Sequence, residues 1–179
     1  VKEEIVGFME WLKPRSPKVV LEIGTARGGT LFLLSRCAAP NAMIVTVDYP
    51  QGPFGGGYPR YMVPFLQAVG RDGQSIGLVS GDSHAPKTLD EVKAALGGRE
   101  IDLLFIDGDH SYEGVKKDFE MYSPLVRRGG MVAFHDIRPG PERNVGGVPD
   151  FWLEVSKRSE HVSFVTPAEN VGCGIGVLI

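Results

Sequence analysis

The segment Val19–Thr30, VVLEIGTARGGT, decides how the rest of this sequence is interpreted. Its first half continues an apolar run, Lys18 to Ile23, of the kind that forms buried parallel strands. Its second half is a turn in which glycines let the backbone bend sharply and approach a ligand closely; these are Gly24, Gly28 and Gly29. Thr30 stands where a helix could begin. A strand, a tight turn and a helix N-terminus in this order are typical of nucleotide sites, although an ordinary tight turn between strand and helix has the same pattern.

The order Glu-x-Gly-x-x-x-Gly from Glu22 to Gly28 resembles motif I of the class I S-adenosylmethionine (SAM) methyltransferases. It is most similar to the small-molecule O-methyltransferases of the catechol and caffeoyl-coenzyme A type and to related cephalosporin-hydroxylase-like and macrolide-sugar methyltransferases. The resemblance implies that the acidic residue and the turn hold the methionine end of SAM, through Glu22, Gly24, Thr25, Ala26, Gly28 and Thr30. An NAD-dependent oxidoreductase is a weaker alternative, because Gly24 to Gly29 reads GTARGG and not GxGxxG.

Length, composition and charge favour one enzyme-sized domain. The chain has 179 residues, 42% of them hydrophobic, which suffices for one substantial core over 1–179. The net charge of −3 argues against a nucleic-acid partner held by phosphate contacts. The first 14 residues predict an acidic amphipathic helix that caps the domain and not a signal peptide. Because no run is long and apolar enough to cross a bilayer, we expect no membrane partner and a cytoplasmic location.

Apolar runs alternate with amphipathic segments along the whole chain. The runs predict strands at 18–23, 43–47, 76–80, 101–106, 131–134, 162–165 and 174–178, with a turn at 127–130 before the fifth. Strands that alternate with helices indicate an α/β sheet, mostly parallel. The last two runs are close enough to pair as a hairpin, so at least one should be antiparallel. We therefore expect a Rossmann-like, doubly wound sheet of seven strands with an antiparallel strand near the C-terminal edge, which is also what the resemblance implies.

Acidic residues follow four of the predicted strands; they are Asp48, Asp82, Asp107 and Asp136. In open α/β sheets ligands bind beyond the carboxyl ends of the strands, although any one of these residues could simply cap a helix or a turn. Asp48 ends the second strand, where a carboxylate can accept hydrogen bonds from a ribose diol, and the resemblance implies the same role. By the resemblance Asp82 and Ser83 contact the adenine, and Asp107 belongs to the cofactor site as well.

The segment Asp107-Gly-Asp-His110 and the pair His135-Asp136 predict the chemistry of the reaction. In caffeoyl-coenzyme A type enzymes similar strand ends supply a divalent metal site, and the resemblance implies that Asp107 and Asp136 are ligands. Ile137 stands where that family has an asparagine ligand, but two carboxylates and substrate oxygens could still hold Mg²⁺. If His135 also ligates, a softer ion such as Mn²⁺ or Zn²⁺ is favoured. His110 is the candidate general base and Asp107 its catalytic partner, since a neutral imidazole can take a proton from a hydroxyl near neutral pH.

These observations predict a SAM-dependent methyltransferase, transferring a methyl group to a hydroxyl of a small molecule with divalent-metal assistance. A metal-independent methyltransferase and a SAM or nucleotide-binding domain without turnover remain alternatives. The acceptor should meet two glycine- and proline-rich loops, 49–61, whose aromatics are Phe54, Tyr58 and Tyr61, and 138–150. An exposed apolar face on the first helix would favour a homodimer.

Overall fold

The computed structural model describes residues 2–50, 52, 56–71, 73–166 and 173–179. It contains a seven-stranded sheet in the order β3-β2-β1-β4-β5-β7-β6. The strands are β1 (Val19–Ile23), β2 (Met43–Asp48), β3 (Ser75–Ser80), β4 (Ile101–Ile106), β5 (Val126–His135), β6 (His161–Phe164) and β7 (Ile175–Leu178). Strands β1 to β5 are mutually parallel, whereas β7 is antiparallel to both β5 and β6. The prediction of a doubly wound sheet with an antiparallel strand near the C-terminal edge is confirmed.

Helices cover both faces of the sheet. They are α1 (Lys2–Leu12), α2 (Gly29–Cys37), α3 (Val63–Gln67), α4 (Pro86–Leu96), α5 (Tyr112–Tyr122), α6 (Glu142–Val145) and α7 (Val148–Ser156). One core cluster includes buried residues of α4, α5 and α7, and the other includes those of α1 and α2. The interior strand β1 is buried at all five positions because it contributes side chains to both clusters.

The first helix does not present the apolar face that favoured a dimer. Phe8 and Leu12 have no exposed surface, and α1 packs against α2, β6 and β7. Its buried Glu4 accepts a hydrogen bond from the amide of Gly174 at 2.9 Å. The apolar stripe of α1 is therefore covered within this chain, so the homodimer remains a prediction without that support.

Two local predictions were wrong. The expected turn at 127–130 lies inside β5, where the register against β4 shifts between Ile101 and Leu103, so the additional residues bulge without ending the strand. The expected loop 138–150 contains α6 and the first turn of α7. Of the other loop, 49–61, the residues Gln51 and 53–55, including the aromatic Phe54, lie outside the described residues.

Among the described residues, no helix combines the length and the apolar character that a membrane span requires.

Candidate functional site

A cleft of about 320 Å³ opens at the carboxyl ends of β1 to β4. Four of the segments that line it directly follow these strands: Gly24 and Ala26, Asp48 and Tyr49, Gly81 to His84, and Asp107 to His110. This position is the one that open α/β sheets use for ligands, because the strand ends there present polar groups and helix N-termini. Most of the predicted cofactor residues thus meet in one cavity.

The glycine turn after β1 depends on the absence of a side chain at Gly24. Its φ is +98°, and a Cβ there would overlap the carbonyl oxygen of Asp107 and stand 2.6 Å from the carbonyl carbon. Its amide donates to Val47 at 2.8 Å, so the turn is fixed between the ends of β2 and β4. Gly28 also has a positive φ, of +76°, and forms the N-cap of α2, where a Cβ would overlap the side chain of Leu66.

Asp48 lies at the end of β2 with 3% of its surface exposed. One carboxylate oxygen accepts a hydrogen bond from the amide of Ala26, and the other accepts from the amide of Gly57 at 2.6 Å. A carboxylate oxygen can accept more than one hydrogen bond, so Asp48 keeps acceptor capacity toward the cleft. The amides fix its orientation and connect the two sides of the cavity.

Glu22 is buried below the cleft and does not line it. The Thr46 hydroxyl donates to Glu22 Oε2 at 2.6 Å and lies 2.5 Å from the Thr25 hydroxyl, whereas Glu22 Oε1 has no hydrogen-bond partner among the described residues. Burial raises the pKa of Glu22 from its ordinary 4.5 to about 8, and the nearby carboxylates Asp107 and Asp48 add to the effect. Glu22 is therefore mostly a neutral acid at pH 7 that supports the turn from beneath, and its direct contact with a cofactor stays a prediction.

The loop after β3 carries the residues predicted to contact a base. Asp82 and Ser83 both line the cleft, and Asp82 Oδ1 accepts a hydrogen bond from the amide of His84 at 2.8 Å. The Tyr122 hydroxyl of α5 donates to the Ser83 carbonyl at 2.8 Å. This loop is therefore fixed both by its own acidic residue and by a buried side chain of α5.

Sequence reasoning missed a second partner of the same loop. His84 lines the cleft, and its Nε2 lies 3.2 Å from Oδ1 of Asp118, a residue of α5 with no exposed surface. The signal was present in the sequence, because Asp118 lies three residues after Val115 and four before Tyr122, on the buried face of an amphipathic helix. An acidic residue on such a face requires a partner.

Two carboxylates and two imidazoles meet where β4 and β5 end. His135 Nδ1 lies 3.4 Å from Asp107 Oδ1 and 3.1 Å from Asp136 Oδ1. His110 Nε2 lies 3.3 Å from Asp107 Oδ1, and its Nδ1 lies 3.5 Å from Asp136 Oδ2 and contacts the carbonyl oxygen of Asn144. Asp136 has a φ of +59°, a conformation that non-glycine residues seldom adopt and that often marks functional sites.

Mutual charge controls protonation in this cluster. Burial alone would raise the pKa of Asp107, but the positive charges of His135 and His110 lower it to about 2. Burial likewise opposes the protonation of His135, yet both carboxylates raise its pKa to about 11, and the pKa of His110 is raised for the same reason by Asp107. In the absence of a metal His135 is therefore held as a cation near neutral pH, and the raised pKa of His110 shifts this imidazole toward its protonated form.

Asp107, His110 and Asp136 each offer one ligand atom, and these atoms lie within 4.8 Å of one another. Such a set of oxygen and nitrogen donors fits a divalent ion such as Mn²⁺ or Zn²⁺ better than Mg²⁺, which prefers oxygen alone. Asp107 and Asp136 are among the predicted ligands. His110 occupies a position in the cluster that sequence reasoning had given to His135, while Ile137, which replaces the expected asparagine, is buried.

Four predicted cofactor residues are not part of the cleft lining: Glu22, Thr25, Gly28 and Thr30. Thr25 and Glu22 belong to the buried hydrogen-bonded chain beneath the turn, and Gly28 belongs to the start of α2. In this structure Glu22, Thr25 and Gly28 shape the turn, whereas Thr30 is the second residue of α2 and its contact with a cofactor stays a prediction.

Comparison with known proteins gives one family. The model of a methyltransferase domain matches residues 21–137, which contain the end of β1, all of β2 to β5, the glycine turn and all four acidic strand ends. The uncharacterized protein y4gI of Sinorhizobium fredii is 28% identical over 152 residues, which are 83% of this chain. The chain spans only 16% of that relative's length.

Solved structures share the fold at low identity. An O-methyltransferase from Bacillus cereus in complex with SAH superposes with a TM-score of 0.66 at 14% identity, covering 98% of this chain and 80% of its own. The O-methyltransferase TomG from Streptomyces achromogenes, involved in tomaymycin synthesis and solved in complex with SAM, gives 0.68 at 18% identity, covering 98% and 78%. These likenesses extend the agreement in fold to nearly the whole chain.

Proposed function

Because this chain belongs to the methyltransferase domain family, we propose that it binds SAM in the cleft at the ends of β1 to β4 and transfers the methyl group to a hydroxyl of a small molecule. The observation that carries the proposal is the position of Asp48, which is fixed at the end of β2 beside the glycine turn and lines the cleft. A carboxylate in that position can accept hydrogen bonds from both hydroxyls of a ribose.

Each part of SAM has a partner in the cleft. Asp48 would accept hydrogen bonds from the ribose diol, while Asp82 and Ser83 at the end of β3 would contact the adenine. Gly24 and Ala26 of the glycine turn line the cleft, and the methionine end would approach the backbone there. The B. cereus enzyme and TomG, which share the fold, were solved with SAH and SAM, and this agrees with the assignment.

The cluster of Asp107, His110, His135 and Asp136 is the proposed acceptor end. In the reaction the substrate oxygen forms a bond to the methyl carbon while the carbon–sulfur bond breaks, and the sulfur keeps the electron pair as SAH leaves. The hydroxyl proton must pass to a base, and positioning supplies most of the remaining rate enhancement. Asp107 lines the cleft and belongs to the cluster, which supports an acceptor oxygen bound next to the cofactor.

A divalent ion held by Asp107, His110 and Asp136 would lower the pKa of a bound substrate hydroxyl. The two imidazoles supply positive charge to the same carboxylates, so an ion would compete with their protons. We therefore expect binding of Mn²⁺ to release protons and to weaken as pH falls. This is measured by calorimetry in buffers of different ionisation enthalpy, and binding that is unchanged in Asp136→Asn would contradict the assignment.

A metal-independent methyltransferase is the second candidate, favoured by the positive charge that His135 already places beside both carboxylates. In that case neutral His110 would act as the base, and its raised pKa makes this neutral form less available. Methyl transfer to a catechol-like diol, measured with EDTA and then with Mn²⁺ or Mg²⁺, separates the two candidates. SAH binding without turnover of any acceptor would instead favour a binding domain.

The cofactor assignment is tested first, by calorimetric titration with SAH of the wild type, Asp48→Asn and the control Asp90→Asn, whose carboxylate is exposed on α4. Loss of two hydrogen bonds to a charged acceptor should weaken SAH binding at least tenfold in Asp48→Asn and leave the control unchanged. Equal affinity in all three proteins would place the cofactor elsewhere.

A further inference from the structure

His84 and Asp118 form a pair that the proposed reaction does not use. His84 comes directly after the predicted base-contacting residues and lines the cleft, whereas Asp118 belongs to α5 and has no exposed surface. The ring nitrogen Nε2 of His84 lies 3.2 Å from Asp118 Oδ1 and 3.1 Å from the carbonyl oxygen of Gly114. The pair therefore connects the wall of the cleft to the interior of the domain.

The burial of Asp118 favours a cation at His84. Neither oxygen of Asp118 makes a hydrogen bond of good geometry within the described part of the chain, and Oδ2 lies under Gly108. A buried carboxylate without a counter-ion is strongly destabilising, and His84 is the group that lies beside it and can carry a positive charge. The charged groups that face the ring are all acidic: Asp82, Asp109 and Asp118. Contact with Asp118 accordingly raises the pKa of His84.

The orientation of the ring leaves one N–H group for a ligand. Nε2 faces Asp118 and Gly114, so the protonated ring carries its second N–H on Nδ1. Nδ1 lies 3.9 Å from Asp82 Oδ1, which is beyond hydrogen-bond distance. The cleft wall at the end of β3 thus offers a donor from His84 next to an acceptor from Asp82.

A donor beside an acceptor complements one edge of adenine, which presents an N–H₂ group beside a ring nitrogen. The location agrees, because in the sheet order β3 lies on the opposite side of Asp48 from the acceptor cluster at β4 and β5. If the ribose meets Asp48 and the methyl group faces the cluster, the base extends toward β3.

We propose that His84, held by the buried carboxylate of Asp118, is a cofactor-recognition residue that donates a hydrogen bond to a ring nitrogen of the adenine. Asp118 is its positioning residue and does not touch the cofactor. The proposal rests on the proposed function, since it takes the cleft to be the SAM site.

The test measures the affinities of SAH and its 1-deaza, 3-deaza and 7-deaza analogues for the wild type, His84→Ala and Asp118→Asn. A hydrogen bond from a charged donor corresponds to about 10- to 100-fold in affinity. We expect one analogue to bind the wild type at least tenfold more weakly than SAH. The same analogue should bind His84→Ala as well as SAH does, because the donor is already absent, and Asp118→Asn should show an intermediate difference.

Each result decides the question. If His84→Ala weakens all four ligands by the same factor, or none, the pair only anchors the loop and the proposal fails while SAM binding stands. If the wild type does not bind SAH, the proposed function fails and the inference fails with it. His161→Gln, a change at an exposed histidine on β6, should leave every affinity unchanged. Should Asp118→Asn not fold, the wild type and His84→Ala alone give the comparison.

Discussion

Replacing Gly24 by alanine is expected to destabilise this domain by about 2–5 kcal/mol. The positive φ of +98° costs an alanine about 1–2 kcal/mol, since a Cβ disfavours that half of the Ramachandran map. The new Cβ also overlaps the carbonyl oxygen of Asp107 and lies 3.2 Å from the amide nitrogen of Gly108. These are backbone atoms that a hydrogen bond from the Asp107 amide to Ile23, at 2.8 Å, holds in place. Overpacking against such atoms adds about 1–3 kcal/mol.

Gly98→Ala is the matched control for this prediction. Gly98 also has a positive φ, of +78°, but a Cβ there has no heavy atom within 4 Å. Its substitution should therefore cost only the conformational part, about 1–2 kcal/mol. Urea unfolding of both variants gives the difference in free energy, and SAH titration gives the effect on the cleft. If Gly24→Ala costs no more than Gly98→Ala, the contact with the end of β4 does not constrain the turn and the reasoning is refuted.

Three further changes should alter stability in ways that the structure specifies. Glu22, whose pKa is raised from 4.5 to about 8, keeps its proton in the folded state at pH values where the unfolded chain has lost it. The free energy of unfolding should therefore fall as pH rises from about 4.5 to 8, by up to about 1.4 kcal/mol per pH unit. Glu22→Gln should remove that slope in urea titrations at pH 5 and pH 8, and an unchanged slope would contradict the assignment. Ser111→Ala should lower the free energy of unfolding by about 1 kcal/mol, because the Ser111 hydroxyl caps α5 by accepting a hydrogen bond from the Gly114 amide at 3.0 Å. A change below about 0.3 kcal/mol, which is about the error of the assay, would show the cap to be unimportant. Asp102→Ala should lower the free energy of unfolding by about 1–3 kcal/mol, since the carboxylate accepts hydrogen bonds from the amides of Lys18 and Val19 at 2.7 and 2.9 Å. Thermal or urea unfolding measures this loss, and an unchanged stability would mean that water replaces the carboxylate as acceptor.

The order of elements in this fold could be predicted from the sequence because each parallel strand is a short buried run. Ile101 to Ile106 illustrates the point, since predicted and observed bounds agree there. The segment 127–130 shows the limit, because two glycines after two arginines indicate a turn locally. Pairing with β4 keeps these residues in the strand as a bulge, and such pairing depends on contacts between distant residues.

The site could be predicted only as far as the acidic residue at each strand end. That Asp48 and Asp107 meet follows from the parallel sheet, since all four strand ends lie at one edge. The helical pattern of α5 indicates that Asp118 needs a partner, but that this partner is His84 depends on how the loop after β3 crosses toward α5. The raised pKa of His110 could not be predicted either, because it depends on distances to two carboxylates from different strands.

Asp107 connects the two halves of the proposed site through its main chain and its side chain. Its carbonyl lies against Gly24 in the cofactor turn, while its carboxylate lies 3.3 Å from His110 and 3.4 Å from His135 in the acceptor cluster. A ligand that shifts the turn must therefore also shift the carboxylate of Asp107. Conversely, an ion that binds this carboxylate must affect the turn. Because binding free energies are reciprocal, any effect of Mn²⁺ on SAH affinity should equal the effect of SAH on Mn²⁺ affinity. Asp136 lacks the contact with the turn, so its removal should abolish the effect of the metal without altering the affinity for SAH alone.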